Sequence, residues 1–259
     1  MIRRLRSIRE EKKQKPPDRE EVIRILLASF AVLFPDCYRS ESSTDEEDLR
    51  YIHHALKKQS RLAYQLAEKE EITDIPEKYI EAFPEVKRLL VKDLQAIYAG
   101  DPAAADEAVI ILAYPGFRAI MAYRLAHVLQ QLQVPYIPRI ITEYAHTETG
   151  IDIHPGAEIG EYFCIDHGTG IVLGETAVLG DHVKLYQGVT IGAKSFVSDE
   201  EGNLIKGGKR HPDIGSHVVI YANATILGGD TVIGDHCIIG GNVWITASVA
   251  SGSTVIYHG

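Results

Sequence analysis

Cysteine is scarce in this sequence: three in 259 residues, Cys37, Cys164 and Cys237, with no CxxC pair. That argues against a disulfide framework and a cysteine-ligated zinc site, and it predicts three reduced thiols in a cytoplasmic protein. No apolar run approaches the roughly 18–20 residues that a membrane-crossing helix needs, and no signal-peptide core stands at the N-terminus, so no membrane association is expected. Positive charge is also in deficit, 27 Lys and Arg against 36 Asp and Glu, for a net charge of −9. Nucleic-acid binding, which neutralises phosphates with clustered cations, is thereby disfavoured, and a small-molecule partner fits better. Glycine and proline stay below low-complexity levels, and the length favours two structural units.

The chain has two textures. Residues 1–19 form a basic arm that reads as a solvated, flexible end. Residues 20–147 are patterned as a helical domain. After Pro115, for example, Phe117, Ile120, Met121, Leu125, Val128, Leu129 and Leu132 recur at the spacing of one helix face. Residues 148–259 instead repeat every six. Ile153, Ile159, Ile165 and Ile171 are followed, after a slip of two, by Leu173, Leu179, Leu185 and Ile191; Ile214, Ile220, Ile226 and then Ile233, Ile239, Ile245 continue the beat. One inward aliphatic per six residues predicts short faces closing in threes into a triangular coil, a hexapeptide parallel β-helix. Glycines directly after many of these aliphatics, Gly160, Gly174, Gly180 and Gly215 among them, predict corners with positive φ. The beat fails between Ile191 and Ile214, which predicts a protruding loop at about 193–211.

A solenoid needs its isoleucines whatever it does, so function has to come from the residues outside the repeat. Three pieces stand out: Asp152-Ile-His-Pro155, Asp166-His167-Gly-Thr-Gly170 and Arg210-His211-Pro212. Asp152 and His167 are fifteen residues apart, close to one coil, so they can meet near one edge. A carboxylate beside an imidazole fixes the ring's tautomer and stabilises its cation, which is the arrangement of a general base. Each residue also has a plainer reading: Asp101 before Pro102 looks like a helix N-cap, Asp152 can simply bond backbone amides, and His154, His182, His217 and His236 read as corner residues.

The stretch from Gly150 to Gly192, with DIHPGAEIG, IDHGTGIVLGETAVLGD and LYQGVTIGA, followed by KRHPDIG and ILGGDTVIG, closely resembles bacterial serine O-acetyltransferases of the hexapeptide-repeat acyltransferase family. The resemblance extends upstream through Gly100-Asp101-Pro102-Ala103 and Gly116-Phe117-Arg118-Ala119, covering roughly residues 85–250. It implies an α+β fold, a helical N-terminal domain followed by a left-handed parallel β-helix, and acetyl transfer from acetyl-CoA to the L-serine hydroxyl, the first step of cysteine biosynthesis. It further implies His167 as general base oriented by Asp152, Arg210 and His211 on the serine carboxylate, and Asp101 and Asp166 on its ammonium. Acetyl-CoA would lie near Gly192, Ala193 and Ala222, with Lys209 or Lys206 by its phosphates, and no metal is expected. L-Cysteine is the implied feedback inhibitor. The implied assembly is a homotrimer with sites between adjacent subunits, a hexamer built as a dimer of trimers also being open.

The chain departs from the family pattern twice. Ile191-Gly192-Ala193-Lys194 and a longer charged loop replace the usual GGTGK turn, and the sequence stops at Gly259 soon after the last coil. The second departure does not favour a complex with O-acetylserine sulfhydrylase through a C-terminal tail. Three alternatives stay open at this level: a hexapeptide acyltransferase for another hydroxyl or amine acceptor, an intersubunit metal site, and a purely structural β-helix.

Overall fold

The computed structural model describes residues 14–39, 43–195, 199, 201–204 and 207–256. Residues 1–13 of the basic arm, Lys206 and the final three residues lie outside this set. Helices come first: α1 (Arg19–Leu33), α2 (Pro35–Tyr38), α3 (Asp45–Ala67), α4 (Ile75–Glu81), α5 (Phe83–Gly100), α6 (Glu107–Ala113), α7 (Pro115–Gln131) and α8 (Ile137–Thr149). Caps set several starts. Asp18 accepts the Glu20 and Glu21 N–H groups before α1, and Thr44 with Glu47 forms a capping box before α3. Among the described residues no single helix is long and apolar enough to cross a membrane. Helix α8 ends at Gly150, whose φ of 70° is the left-handed conformation that turns the chain into the solenoid.

Among the described residues fourteen short strands follow, three to a coil, in three parallel sheets. The first sheet stacks β1 (Asp152–Ile153), β4 (Val172–Leu173), β7 (Thr190–Gly192), β10 (Thr225–Leu227) and β13 (Trp244–Ile245). The second stacks β2 (Glu158–Ile159), β5 (Val178–Leu179), β8 (Asp213–Ile214) and β11 (Val232–Ile233). The third stacks β3 (Cys164–Asp166), β6 (Lys184–Tyr186), β9 (Val219–Ile220), β12 (Ile238–Ile239) and β14 (Thr254–Val255). The register places like on like. Ile153, Leu173, Ile191, Ile226 and Ile245 form one buried column, and Ile165, Leu185, Ile220 and Ile239 another. Fully burying each such side chain is worth about 1.5–3 kcal/mol, which is why the six-residue beat survives every coil.

Two expectations change. Ile171 does not continue the Ile153 column. It sits two residues before Leu173, the true partner of Ile153, because the corner at 167–171 holds two extra residues. The glycines after the column aliphatics do not have positive φ either. Left-handed corners fall instead on other glycines, such as Gly168, Gly170 and Gly188, and on non-glycine residues: Tyr162, His182, His217 and His236 on the edge between the second and third sheets, and His167, Asn223 and Asn242 on the edge between the third and first. What the glycines supply is closeness: a Cβ on Gly160 would stand 2.7 Å from the Gly180 backbone, and one on Gly180 2.8 Å from the Ser216 amide. The corner rings of Tyr162, His182, His217 and His236 stack in sequence, centroids 4.3, 4.6 and 4.8 Å apart.

The helices dock on the first coil through a buried ion pair. Arg124 of α7 donates from Nε and Nη2 to the two Asp93 oxygens on α5, both at 3.0 Å, and also to the Ile159 and Gly160 carbonyls. Asp93 completes the joint by accepting the Phe163 N–H at 2.8 Å.

Candidate active site

Two groups of polar side chains gather on adjacent edges of the triangle. On the edge between the third and first sheets, the two-residue slip makes a wide corner in which His167, Gly168 and Gly170 all have positive φ. It turns the His167 side chain outward, 76% exposed, with Nε2 3.9 Å from Asp166 Oδ1. The other Asp166 oxygen pairs with Lys184 Nζ at 2.9 Å. Asp101, directly after α5, packs beside them: its Oδ2 accepts the Tyr114 hydroxyl at 2.7 Å and its Oδ1 the Ala103 N–H at 2.8 Å. The Tyr114 bond, ahead of the Ala103 amide, holds the Asp101 carboxyl below the usual carboxylate range. The N-cap reading of Asp101 is thus half right: it caps a turn, and α6 has its own cap in Asp106, whose Oδ1 accepts the Val109 N–H. Cys164 lies beneath, buried, its thiol pushed up to about 12 by desolvation, which makes it a packing residue and not a nucleophile.

The second group lies on the edge between the first and second sheets. His211 is 7% exposed, and its Nδ1 accepts the Thr176 N–H at 3.1 Å. That bond requires Nδ1 to be unprotonated, so the neutral ring carries its hydrogen on Nε2. Burial, reinforced by the Arg210 charge, lowers its pKa to about 4. The unfolded ring, near 6.5, therefore binds more protons than the folded one between those values, and stability should fall as pH is lowered from about 6.5 to about 4. Melting curves across that range should show a decline for the native protein that is weaker in His211→Gln. The His211 ring lies against Gly174, where an added Cβ would be 2.0 Å from Cδ2 and Nε2. We expect Gly174→Ala to displace the ring and to act on activity as removal of His211 does, and steady-state kinetics of the two variants will show whether they match.

Arg210 pairs with Glu175 and has N–H donors to spare for a second carboxylate. This bond is the main cause of the lowered Glu175 pKa. Lys209 joins Asp213 and the Thr176 carbonyl. Gly192 ends β7 on the same edge with Ala193 after it, whereas Ala222 follows β9 on the edge of His167.

Asp101, Asp166 and His167 thus come together, and Arg210 and His211 come together. Among the described residues no hydrogen bond or ion pair joins the two groups. Asp152 does not reach His167 within the chain either. Ile153 pairs with Leu173, twenty residues on, and the wide corner carries the chain past the point where a spacing of fifteen would have matched them. The Asp152 carboxylate meets Arg139 of α8 at 3.4 Å instead. Glu143, His146 and Asp152 bring potential ligand atoms within 4.8 Å of one another, but Arg139 pairs with both carboxylates and already supplies their counter-charge. Tyr114, Lys184, Glu175 and Thr176 were missed as site residues; the signal for Lys184 was its outward place in the beat, twenty residues after Cys164 and in register with it.

Fold and site together define a hexapeptide-repeat β-helix protein with helices docked on its first coil and ionisable groups on two neighbouring edges. Residues 50–122 match the family model for the serine acetyltransferase N-terminal region. Over 183 residues the chain is 56% identical to a plasmid-borne serine acetyltransferase of Synechococcus elongatus, covering 71% of this chain and 57% of that one. Over 163 residues it is 40% identical to the serine acetyltransferase of Helicobacter pylori, covering 63% of this chain and 90% of that one. The structure of Entamoeba histolytica serine acetyltransferase isoform 3 in complex with cysteine superposes with a TM-score of 0.78 at 37% identity, over 94% of this chain and 82% of that one. Soybean serine acetyltransferase complexed with serine superposes at 0.64 and 30% identity, over 88% and 79%. The chain belongs to the serine acetyltransferase family.

Proposed function

We propose that the protein is a serine O-acetyltransferase, converting acetyl-CoA and L-serine into O-acetylserine and CoA. The observation that carries this reading is the division of labour between the two edges: an exposed imidazole beside two carboxylates on one, and a guanidinium beside a neutral imidazole N–H on the next. L-Serine offers the complementary set of hydroxyl, ammonium and carboxylate. His167 takes the hydroxyl proton as the serine oxygen attacks the thioester carbonyl; the tetrahedral intermediate expels the CoA thiolate, which recovers the proton from the imidazolium. Asp101 and Asp166 receive the ammonium. The Arg210 fork and the His211 Nε2–H receive the carboxylate.

The two edges belong to one site if a neighbouring copy brings its Arg210 edge against the His167 edge, so we propose a homotrimer, with a hexamer built from two trimers as its larger form. In that arrangement Asp152 of a second copy is the carboxylate that orients His167. The acetyl-CoA arm lies in the groove between copies, against Gly192, Ala193 and Lys209 of one and Ala222 of the other. Cysteine, which has the ammonium and carboxylate of serine, competes for the same groups as a feedback inhibitor, and the Entamoeba complex with cysteine supports this. Three free thiols fit a reducing, cytoplasmic setting.

The test is CoA release from acetyl-CoA, followed with a thiol reagent, using L-serine against a panel of sugar and amine acceptors. Release that depends on serine and is suppressed by cysteine is the expected result. Release with a different acceptor alone would transfer the function to another acyltransferase.

A further inference from the structure

Lys184 stands at the centre of the His167 group without facing the substrate. It lies on β6, one coil below Cys164 and in register with it. Its ammonium contacts Asp166 Oδ2 and the Gly100 carbonyl, both at 2.9 Å, and lies 4.8 Å from the centre of the Tyr186 ring. With two hydrogen bonds and an aromatic face it has no side left for a ligand. The cavity bordered by Lys184, Gly100, Asp101 and Asp166 is about 10 Å³, room for one water at most. Whatever Lys184 does to a substrate, it does through its neighbours.

Those neighbours are the two carboxylates assigned to the serine ammonium. Asp166 divides its oxygens between Lys184 and His167, so the lysine fixes the carboxylate plane and presents the other oxygen to the site. Asp101 follows Gly100 directly, and a Cβ on Gly100 would come within 3.3 Å of Lys184 Nζ. The bond to the Gly100 carbonyl therefore sets where α5 ends and where Asp101 begins. Tyr114 fixes the Asp101 carboxylate from the other side. Charge follows the same logic. Two carboxylates and one ammonium leave a single net negative charge, the complement of one substrate ammonium.

We infer that Lys184 is a positioning residue for serine, holding Asp166 directly and Asp101 through the Gly100 carbonyl at the spacing and net charge that one ammonium requires. This rests on the reading of the site as a serine acetyltransferase centre. A lysine that merely pinned the helices to the β-helix would affect stability, and both substrates would suffer alike. A positioning lysine acts on serine alone.

The experiment is steady-state kinetics of full-length Lys184→Met, Lys184→Gln and Lys184→Arg, each with a melting curve. The expected result is a KM for serine raised about tenfold or more in the Met and Gln variants, with kcat and the KM for acetyl-CoA within about twofold of the parent, as befits loss of uniform binding. The Arg variant, which keeps the charge and its donors, should recover most of the serine affinity. An unchanged serine KM in Met and Gln overturns the inference. So does a parallel loss in both KM values and kcat without rescue by Arg, and so does failure of both neutral variants to fold. A parent protein with no serine-dependent CoA release overturns the underlying reading and the inference with it, and that outcome is recognised before any variant is assayed.

Discussion

Replacing His167 should cut serine-dependent CoA release by about 10²–10⁴-fold, the usual contribution of a positioned general base. The serine hydroxyl cannot attack a thioester efficiently while it keeps its proton, and His167 is the imidazole set beside Asp166 at the mouth of this corner. The loss should fall on kcat, with the KM for serine little changed, because the ammonium and carboxylate partners remain. Choice of variant matters. His167 has a φ of 59°, a conformation in which alanine is strained by about 1–2 kcal/mol and which asparagine tolerates. His167→Asn is therefore the cleaner probe: it cannot take the proton, and it should melt with the parent. If His167→Asn keeps more than about a tenth of parental kcat, the general-base assignment fails.

Removing Asp93 should have the largest effect on stability. Its carboxylate is fully buried and accepts three hydrogen bonds, two from Arg124 and one from the Phe163 amide. Asp93→Ala would strand a buried guanidinium and a buried N–H at the joint between α5, α7 and the first coil. Breaking such a pair costs about 3–5 kcal/mol. For a chain of this size that lowers Tm by about 6–20 °C. Replacing both partners, Asp93→Leu with Arg124→Met, should recover only part of the loss, because Arg124 also serves the Ile159 and Gly160 carbonyls. Thermal and denaturant unfolding of the two variants beside the parent measures this, and a double variant as stable as the parent would contradict the account of the joint.

Much of this protein is legible because the solenoid repeats one physical demand. Each coil must bury an aliphatic where the next coil buries its own, so Ile153 and Ile165 announce the columns they begin. The slip of two between Ile171 and Leu173 was visible as well. It marks the wide corner that turns His167 outward, and a break in a strict beat is the signal to read first. Other features depend on contacts that no spacing encodes. Corners in left-handed conformation fall on tyrosine, histidine and asparagine as well as on glycine, because neighbouring corners stack or hydrogen-bond along the edge, as the His182, His217 and His236 rings do, whereas glycines such as Gly160 and Gly180 serve close packing between coils. Lys184 and Tyr114 join the site only when α5 and α7 dock on the third sheet. Asp152 looked like a partner for His167 by spacing, yet its neighbour within the chain is Arg139.

The central claim is that one chain holds two incomplete halves of a site, His167 with its carboxylates on one edge and Arg210 with His211 on the next. Co-expression of His167→Asn and Arg210→Ala chains, followed by assay of the mixed assemblies, tests it most directly. Each variant alone should be nearly inactive. Random mixing of equal amounts should restore about a quarter of the parental rate per site, because each intact site needs an unaltered His167 edge from one chain and an unaltered Arg210 edge from its neighbour. Mixed assemblies no more active than the separate variants would contradict the account and require both halves to act within a single chain.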